Sequence, residues 1–485
     1  MKAFQLTFLM LVLTTMLVAQ KKAVINKQTI AVKQVSAKPK LVVGMVVDQM
    51  RWDFLYRYAN RYSKNGFNRM LNEGMNCVNA YIPYTPTVTA AGHTCVYTGS
   101  VPSVHGIVGN AWIDRKTQKS VYCSEDSTVQ TVGSSSKNGK MSPKNMLVTT
   151  IGDELRLASN FRSKVIGIAL KDRGAILPAG HSANAAYWYD NTNGKWITST
   201  HYMNQLPDWV NQMNNRQLVD SFYQLNWQTL YPIATYIQST TDVKAYESTP
   251  FGAEQKGFPY QLQQFKGKNY GAIATTPYGN SITFEMAKAA IINEQLGKRG
   301  ETDMLCVSFS SPDYIGHSFG PNSIETEDNY LRLDLEMAAF FEFLDKEIGA
   351  NNYTVFLTAD HGVAHVPQFL KDNNLPGGVF DDKAVQQELN TLLKEKFGKD
   401  KLVTSMYNYQ VHFNHAVLDT TDIDMEDIVN VVKKHLYKNE AVASVFDLSE
   451  LQEYPMNEKI RKMLNSGYFH QRSGDVQFVL KPGYI

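Results

Sequence analysis

The chain has 485 residues, 43% of them hydrophobic and 19% charged, with 48 Lys and Arg against 46 Asp and Glu for a formal charge of +2. That length exceeds one ordinary domain and fits a large α/β domain carrying insertions. The composition excludes a disordered or collagen-like chain, and the charge balance offers no basic field for a nucleic-acid partner.

The first predicted element is a leader. Lys2 precedes the uncharged run Phe4–Ala19, and Gln20, Lys21 and Lys22 follow. The pattern reads as a signal peptide over residues 1–20 with cleavage near Ala19. The run is interrupted by Gln5 and threonines and is short for a membrane span of roughly 20 residues. A periplasmic or secreted protein with no membrane attachment is expected.

Short β-branched runs then recur, each followed by a charged residue. Leu41–Val47 ends at Asp48, Val165–Leu170 at Lys171, Met304–Ser310 is followed by Asp313, and Tyr353–Thr358 by Asp360. Gln477–Leu480 is the last such run. Continuous apolar runs fit strands buried on both faces of a largely parallel sheet. Apolar positions over Asp328–Ile348 predict a helix between two of them. The expected fold is therefore a doubly wound α/β sheet flanked by helices, with ligands at the carboxyl ends of its strands. The core is assigned to 40–180, 300–366 and 455–485. Residues 181–299, rich in Trp, Tyr, Asn and Gln, read as a cap insertion. Residues 367–454 read as an inserted α+β subdomain, with helices at Lys383–Phe397 and Met425–Leu436 and a strand-like run at Tyr407–Leu418. Gly133–Lys140 reads as a flexible loop. Cys77, Cys95, Cys123 and Cys306 form no CxxC pair, which argues against a thiolate zinc site and leaves disulfides or buried thiols open.

Three strand ends carry metal-type side chains. Asp360 and His361 are adjacent in TADHG, where Gly362 permits a sharp turn. Asp313 and His317 are four apart, so one helical turn puts both on one face. Asp48 closes the first strand. Each alone reads more readily as a cap, turn or surface residue. Together they predict a centre of oxygen and nitrogen ligands, which suits catalytic zinc better than a structural finger. Thr89, ahead of Ala90, Ala91 and Gly92, is expected at a helix N-terminus, where backbone dipoles favour an alkoxide and a bound phosphoryl group; an ordinary N-cap is the alternative.

The motifs VVDQMRWD, YTPTVTAAGHTCVYTGS through HGIVGN, ALKDRGA, SPDYIGHSFGP, TADHGV and RSGDV occur in that order over most of residues 41–480. In them the chain resembles the alkaline phosphatase superfamily, most closely its threonine-nucleophile branch of exported bacterial phosphate-irrepressible monoesterases, the PafA type. The resemblance implies two Zn²⁺ ions. Thr89, the nucleophile, would bind one together with Asp48, Asp360 and His361. Asp313 and His317 would hold the other. Asn110, Lys171 and Arg173 would bind phosphoryl oxygens, and two cations there favour a monoester dianion over a diester. The sulfatase branch needs a Cys/Ser-x-Pro-x-Arg motif, which Thr89-Ala90-Ala91 does not supply. The family completes its second zinc site with a histidine beyond the strand after SGD. No histidine follows in SGDVQFVLKPGYI, so that site is expected to be one ligand short within these residues, and His470 precedes the strand. His93, His181 and His365 read as polar or packing residues near the site, with His365 able to support a ligand from behind. The expected activity is hydrolysis of small-molecule phosphate monoesters through a phosphothreonine. A diesterase or phosphonate hydrolase on the same metals, and a non-catalytic phosphate- or glycan-binding scaffold, are the alternatives.

Overall fold

The computed structural model describes residues 38–485, and the expected leader lies outside them. A mixed seven-stranded sheet organises the chain. Its strands are β1 (Leu41–Val47), β2 (Thr131–Val132), β3 (Val165–Ala169), β4 (Ala185–Asp190), β5 (Lys195–Ser199), β6 (Asp303–Phe309) and β7 (Tyr353–Thr358). They lie in the order β2-β5-β4-β3-β6-β1-β7. The neighbours β4, β3, β6, β1 and β7 are parallel, whereas β5 runs antiparallel to both β4 and β2.

Two-residue periodicity explains why β1 is apolar throughout. Leu41, Val43, Met45 and Val47 enter the main core, while Val46 packs with Tyr97, Val165, Met304 and Cys306 on the other face. The first face is covered by α3 (Tyr278–Asn293) and α5 (Ile324–Leu344), which place Phe284, Met286, Leu333 and Met337 in that core. The second is covered by α1 (Thr89–Thr98) and α2 (Asp172–Ala179). With both faces roofed, parallel strands leave only their ends open to a ligand. Here α4 (Ser311–Phe319) starts directly after β6.

Two expectations are corrected. Residues 181–299 are not all insertion, since β4 and β5 extend the main sheet and α3 covers it. The hairpin turn Asp190–Gly194 joins the two strands, and Tyr189 pairs with Trp196 across it. The run Gln477–Leu480 is not a strand of the parallel sheet. It belongs to Val476–Leu480, which pairs antiparallel with Gln410–Phe413 and Val442–Asp447 in a separate four-stranded sheet. Val476 and Phe478 face that sheet's own core, beside Leu389 and Leu393 of the helix Asp382–Phe397 and Ile428 and Val432 of the helix Met425–Leu436. Buried Gln477 pairs with Gln410.

The expected helix at Asp328–Ile348 begins earlier, at Ile324, where Ser323 Oγ caps the Thr326 amide. The loop at Gly133–Lys140 is tied down by Ser136 and Asn138, which donate to Asp190. All four cysteines are free thiols. Among the described residues no helix is long and apolar enough to cross a membrane.

Candidate active site

The carboxyl ends of β3, β6, β1 and β7 converge, and their charged followers meet there. Asp48, Asp313 and His361 each offer a ligand atom, all within 4.8 Å of one another. Asp360 is adjacent, its Oδ2 lying 3.6 Å from His361 Nε2. His361 Nε2 is also 3.5 Å from Asp48 Oδ1 and 4.0 Å from Asp313 Oδ1. The three carboxylates are nearly inaccessible, as is Lys171 between them. Its ammonium donates to Asp48 Oδ2 at 2.8 Å, Asp313 Oδ2 at 2.5 Å and Thr89 Oγ1 at 3.4 Å. It also lies over the Tyr314 ring, 5.1 Å from the centroid.

Thr89 opens α1, as its sequence position suggests. The capping residue, Val88, is extended and gives no side-chain cap. The free Ala90 amide instead donates to Asn110 Oδ1 at 2.9 Å. This engages the amide oxygen of Asn110 and leaves its Nδ2 available as a donor beside Thr89. Gly92, one turn on, lets α1 approach the end of β7: a Cβ there would run into the carbonyl of Asp360.

Arg173 follows Lys171 at the start of α2. Its Nη1 donates to Tyr122 Oη at 2.9 Å, and that hydroxyl donates to Asp172 Oδ1 at 2.7 Å. The Arg173 Nε is buried with no protein partner. Such an unsatisfied buried donor costs roughly 1–3 kcal/mol.

Charge on these groups follows from burial and from one another. Burial, and next the Asp360 carboxylate, push Asp48 up to about 6 against the pull of Lys171. Burial also works against ionised Asp313, but His317 and Lys171 outweigh it and hold the carboxyl below its usual range. For Asp360 burial is again outweighed, here by His93 and His361. Burial opposes the charged forms of Lys171 and His361, yet neighbouring aspartates raise both. A concentration of buried carboxylates that depends on nearby cations is a setting for metal ions. Two oxygens strengthen the case, because Asp48 Oδ1 and Asp360 Oδ2 are buried and make no hydrogen bond. With imidazole nitrogen alongside, this donor set fits a divalent metal ion.

His317 lies at the rim. Its Nε2 is 3.2 Å from Asp313 Oδ1 and its side chain is 71% exposed, which leaves it accessible to an ion on the solvent side. The remaining histidines divide. His93 is part of the site floor, with Nδ1 3.1 Å from Asp360 Oδ2 and Nε2 2.7 Å from Ser308 Oγ. His365 meets Arg51 and Asn322 instead of a candidate ligand. His181 bonds the Val148 carbonyl, and exposed His470 bonds Tyr468. Sequence reasoning passed over Gln49 altogether. Its peptide N–H donates to Asp360 Oδ1 at 3.0 Å and its side-chain Nε2 to Asp313 Oδ1 at 2.8 Å. Nothing in its residue type signals this; only its place directly after Asp48 does.

The family described as type I phosphodiesterase / nucleotide pyrophosphatase matches residues 42–485. The chain belongs to that family. Among curated relatives it is 52% identical to a calcium-transporting ATPase of Myroides odoratus, over 92% of this chain and 82% of that one. It is 51% identical to alkaline phosphatase PhoV of Synechococcus elongatus, over 96% and 84%. It is 48% identical to alkaline phosphatase PafA of Elizabethkingia meningoseptica, over 92% and 82%. A crystal structure of wild-type PafA superposes with a TM-score of 0.90, covering 92% of this chain and 86% of that one.

Proposed function

We propose that the protein is an exported zinc-dependent alkaline phosphatase that hydrolyses small-molecule phosphate monoesters through a phosphothreonine intermediate. The observation that carries this reading is the meeting of Asp48, Asp313, Asp360 and His361 beside the hydroxyl of Thr89 at the N-terminus of α1. Similarity to alkaline phosphatases over nearly the whole chain supports it.

Asp48, Asp360, His361 and Thr89 would hold one zinc, and Asp313 with His317 the other. Bound there, zinc supplies Lewis-acid stabilisation of negative charge on the attacking and departing oxygens. The protein's own groups do the rest. Thr89 Oγ1 attacks phosphorus, the ester P–O bond breaks, and the alcohol departs. Water then attacks the phosphothreonine and frees Thr89 and inorganic phosphate. The α1 N-terminus favours the anionic phosphoryl group through its dipole. Asn110 Nδ2 and Arg173 Nε are donors without protein partners, suited to the equatorial oxygens. Lys171, already 3.4 Å from Thr89 Oγ1, adds a second cation. Two cations match a monoester dianion better than a diester monoanion, which favours the monoesterase over the diesterase suggested by the family's description.

The test is an aryl phosphate assay on wild type and Thr89→Ala, with zinc content measured on both. Wild type should turn over and label on Thr89 when quenched in acid. Thr89→Ala should lose at least about 10³-fold in kcat and still hold metal. Undiminished turnover in that variant would refute the assignment.

A further inference from the structure

Gln49 is chemically bland, yet it occupies an unusual position. It is buried, and its backbone lies in the left-handed region at φ 67°. That conformation strains any residue bearing a Cβ by about 1 kcal/mol, whereas glycine adopts it freely. The strain is accompanied by two directed hydrogen bonds. The peptide N–H of Gln49 holds Asp360 Oδ1, and its side-chain amide holds Asp313 Oδ1. One residue thus spans the two carboxylates that, in the phosphatase reading, serve different metal ions. We infer that Gln49 is a positioning residue that fixes the Asp313 carboxylate through its side chain and the Asp360 carboxylate through its backbone. The inference rests on that reading and adds to it a division of labour within a single residue.

Gly316 supplies an independent handle. It lies on α4 between Asp313 and His317, and the three nearest atoms a Cβ there would meet all belong to Gln49. The closest is Oε1, which it would overlap. The absence of a side chain at Gly316 therefore keeps the Gln49 amide seated on Asp313.

The experiment measures zinc retained by the purified full chain across a chelator series, with Asp313→Asn used to identify which phase of zinc loss belongs to the Asp313 half-site. Gln49→Gly removes the amide, keeps the peptide N–H and relieves the strain. It should move the Asp313 phase about 10–100-fold toward lower chelator, the usual consequence of losing a group that orients a ligand, and leave the Asp360 phase in place. Gly316→Ala should reproduce the shift. Combining the two should add nothing, because the Ala methyl then has no amide to displace. Thermal unfolding of the chelated variants should match wild type or exceed it, which separates positioning from folding. Unmoved phases in Gln49→Gly, equal shifts in both, or an additive double variant would overturn the inference. A wild-type chain without zinc would overturn both it and the phosphatase reading.

Discussion

Removing one cation should change which phosphate ester the protein prefers. Arg173 is the cleaner choice, because Lys171 also neutralises Asp48 and Asp313 and its loss would disturb the carboxylates themselves. The Arg173 guanidinium donates from Nη1 to Tyr122, lies 3.9 Å from Asp172 Oδ1 and has a buried Nε with no partner. Losing a charge-assisted hydrogen bond costs about 1.5–3 kcal/mol. The extra charge of a monoester dianion, at roughly 4 Å and an effective dielectric near 20, is worth up to about 4 kcal/mol more. Arg173→Ala should therefore lower kcat/KM for an aryl phosphate monoester by more than the hydrogen bond alone, up to about 10⁵-fold at about 1.4 kcal/mol per factor of ten. An aryl methyl phosphate diester, one charge short, should lose only the hydrogen bond's share, about 10–10²-fold. Initial rates on both esters with the same leaving group isolate the difference. Equal losses on the two substrates would refute the reasoning that this guanidinium reads the dianion.

Three further outcomes are expected. Tyr122→Phe removes the hydroxyl that accepts from Arg173 and donates to Asp172, so KM for the monoester should rise about 10-fold while zinc content stays constant; an unchanged KM would count against the relay. Chelation of the wild-type protein should abolish turnover and lower the melting temperature, since the site carboxylates lose their counter-ions, and added zinc should restore both; activity insensitive to chelator would contradict the metal centre. Glu325 is fully buried, and burial pushes its carboxyl up to about 8 despite a hydrogen bond from Tyr260. A folded pKa above the unfolded value of 4.5 means that this contribution to stability is complete below about pH 4.5 and is lost as pH rises through about 8. The loss is bounded at about 5 kcal/mol by the shift. Urea unfolding of Glu325→Gln should show a shallower decline across that window, and parallel pH profiles would reject the assignment.

The parts of the site that reside in side-chain type were legible in sequence. Asp48, Lys171, Asp313 and Asp360 each follow a continuous apolar run, and the physics of a sheet covered on both faces places such residues together. What was not legible depended on conformation or on subtler patterning. The left-handed backbone of Gln49 leaves no trace in the letters around it. The run Gln477–Leu480 looked like a doubly buried strand, but the strand starts at Val476 and alternates, with Val476 and Phe478 turned toward the smaller sheet's core. Likewise the aromatic content of Ala185–Asp190 and Lys195–Ser199 suggested an insertion. The Asn193-Gly194 pair between two β-forming runs was the hairpin signal that outranked it.

The place of β1 in the sheet has a consequence for biogenesis. It is the earliest strand in the described chain, yet both of its neighbours, β6 and β7, are synthesised more than two hundred residues later. At 5–20 residues per second a ribosome needs on the order of ten seconds or more to deliver them. During that interval the LVVGMVV segment has no native hydrogen-bonding partner, and Thr89 has no carboxylate cluster beside it. The cluster of Asp48, Asp313 and His361 therefore assembles only after β7 and the residues that follow it have been made. In the exported phosphatase proposed above, that delay would keep the chain loosely organised for passage through a translocation channel.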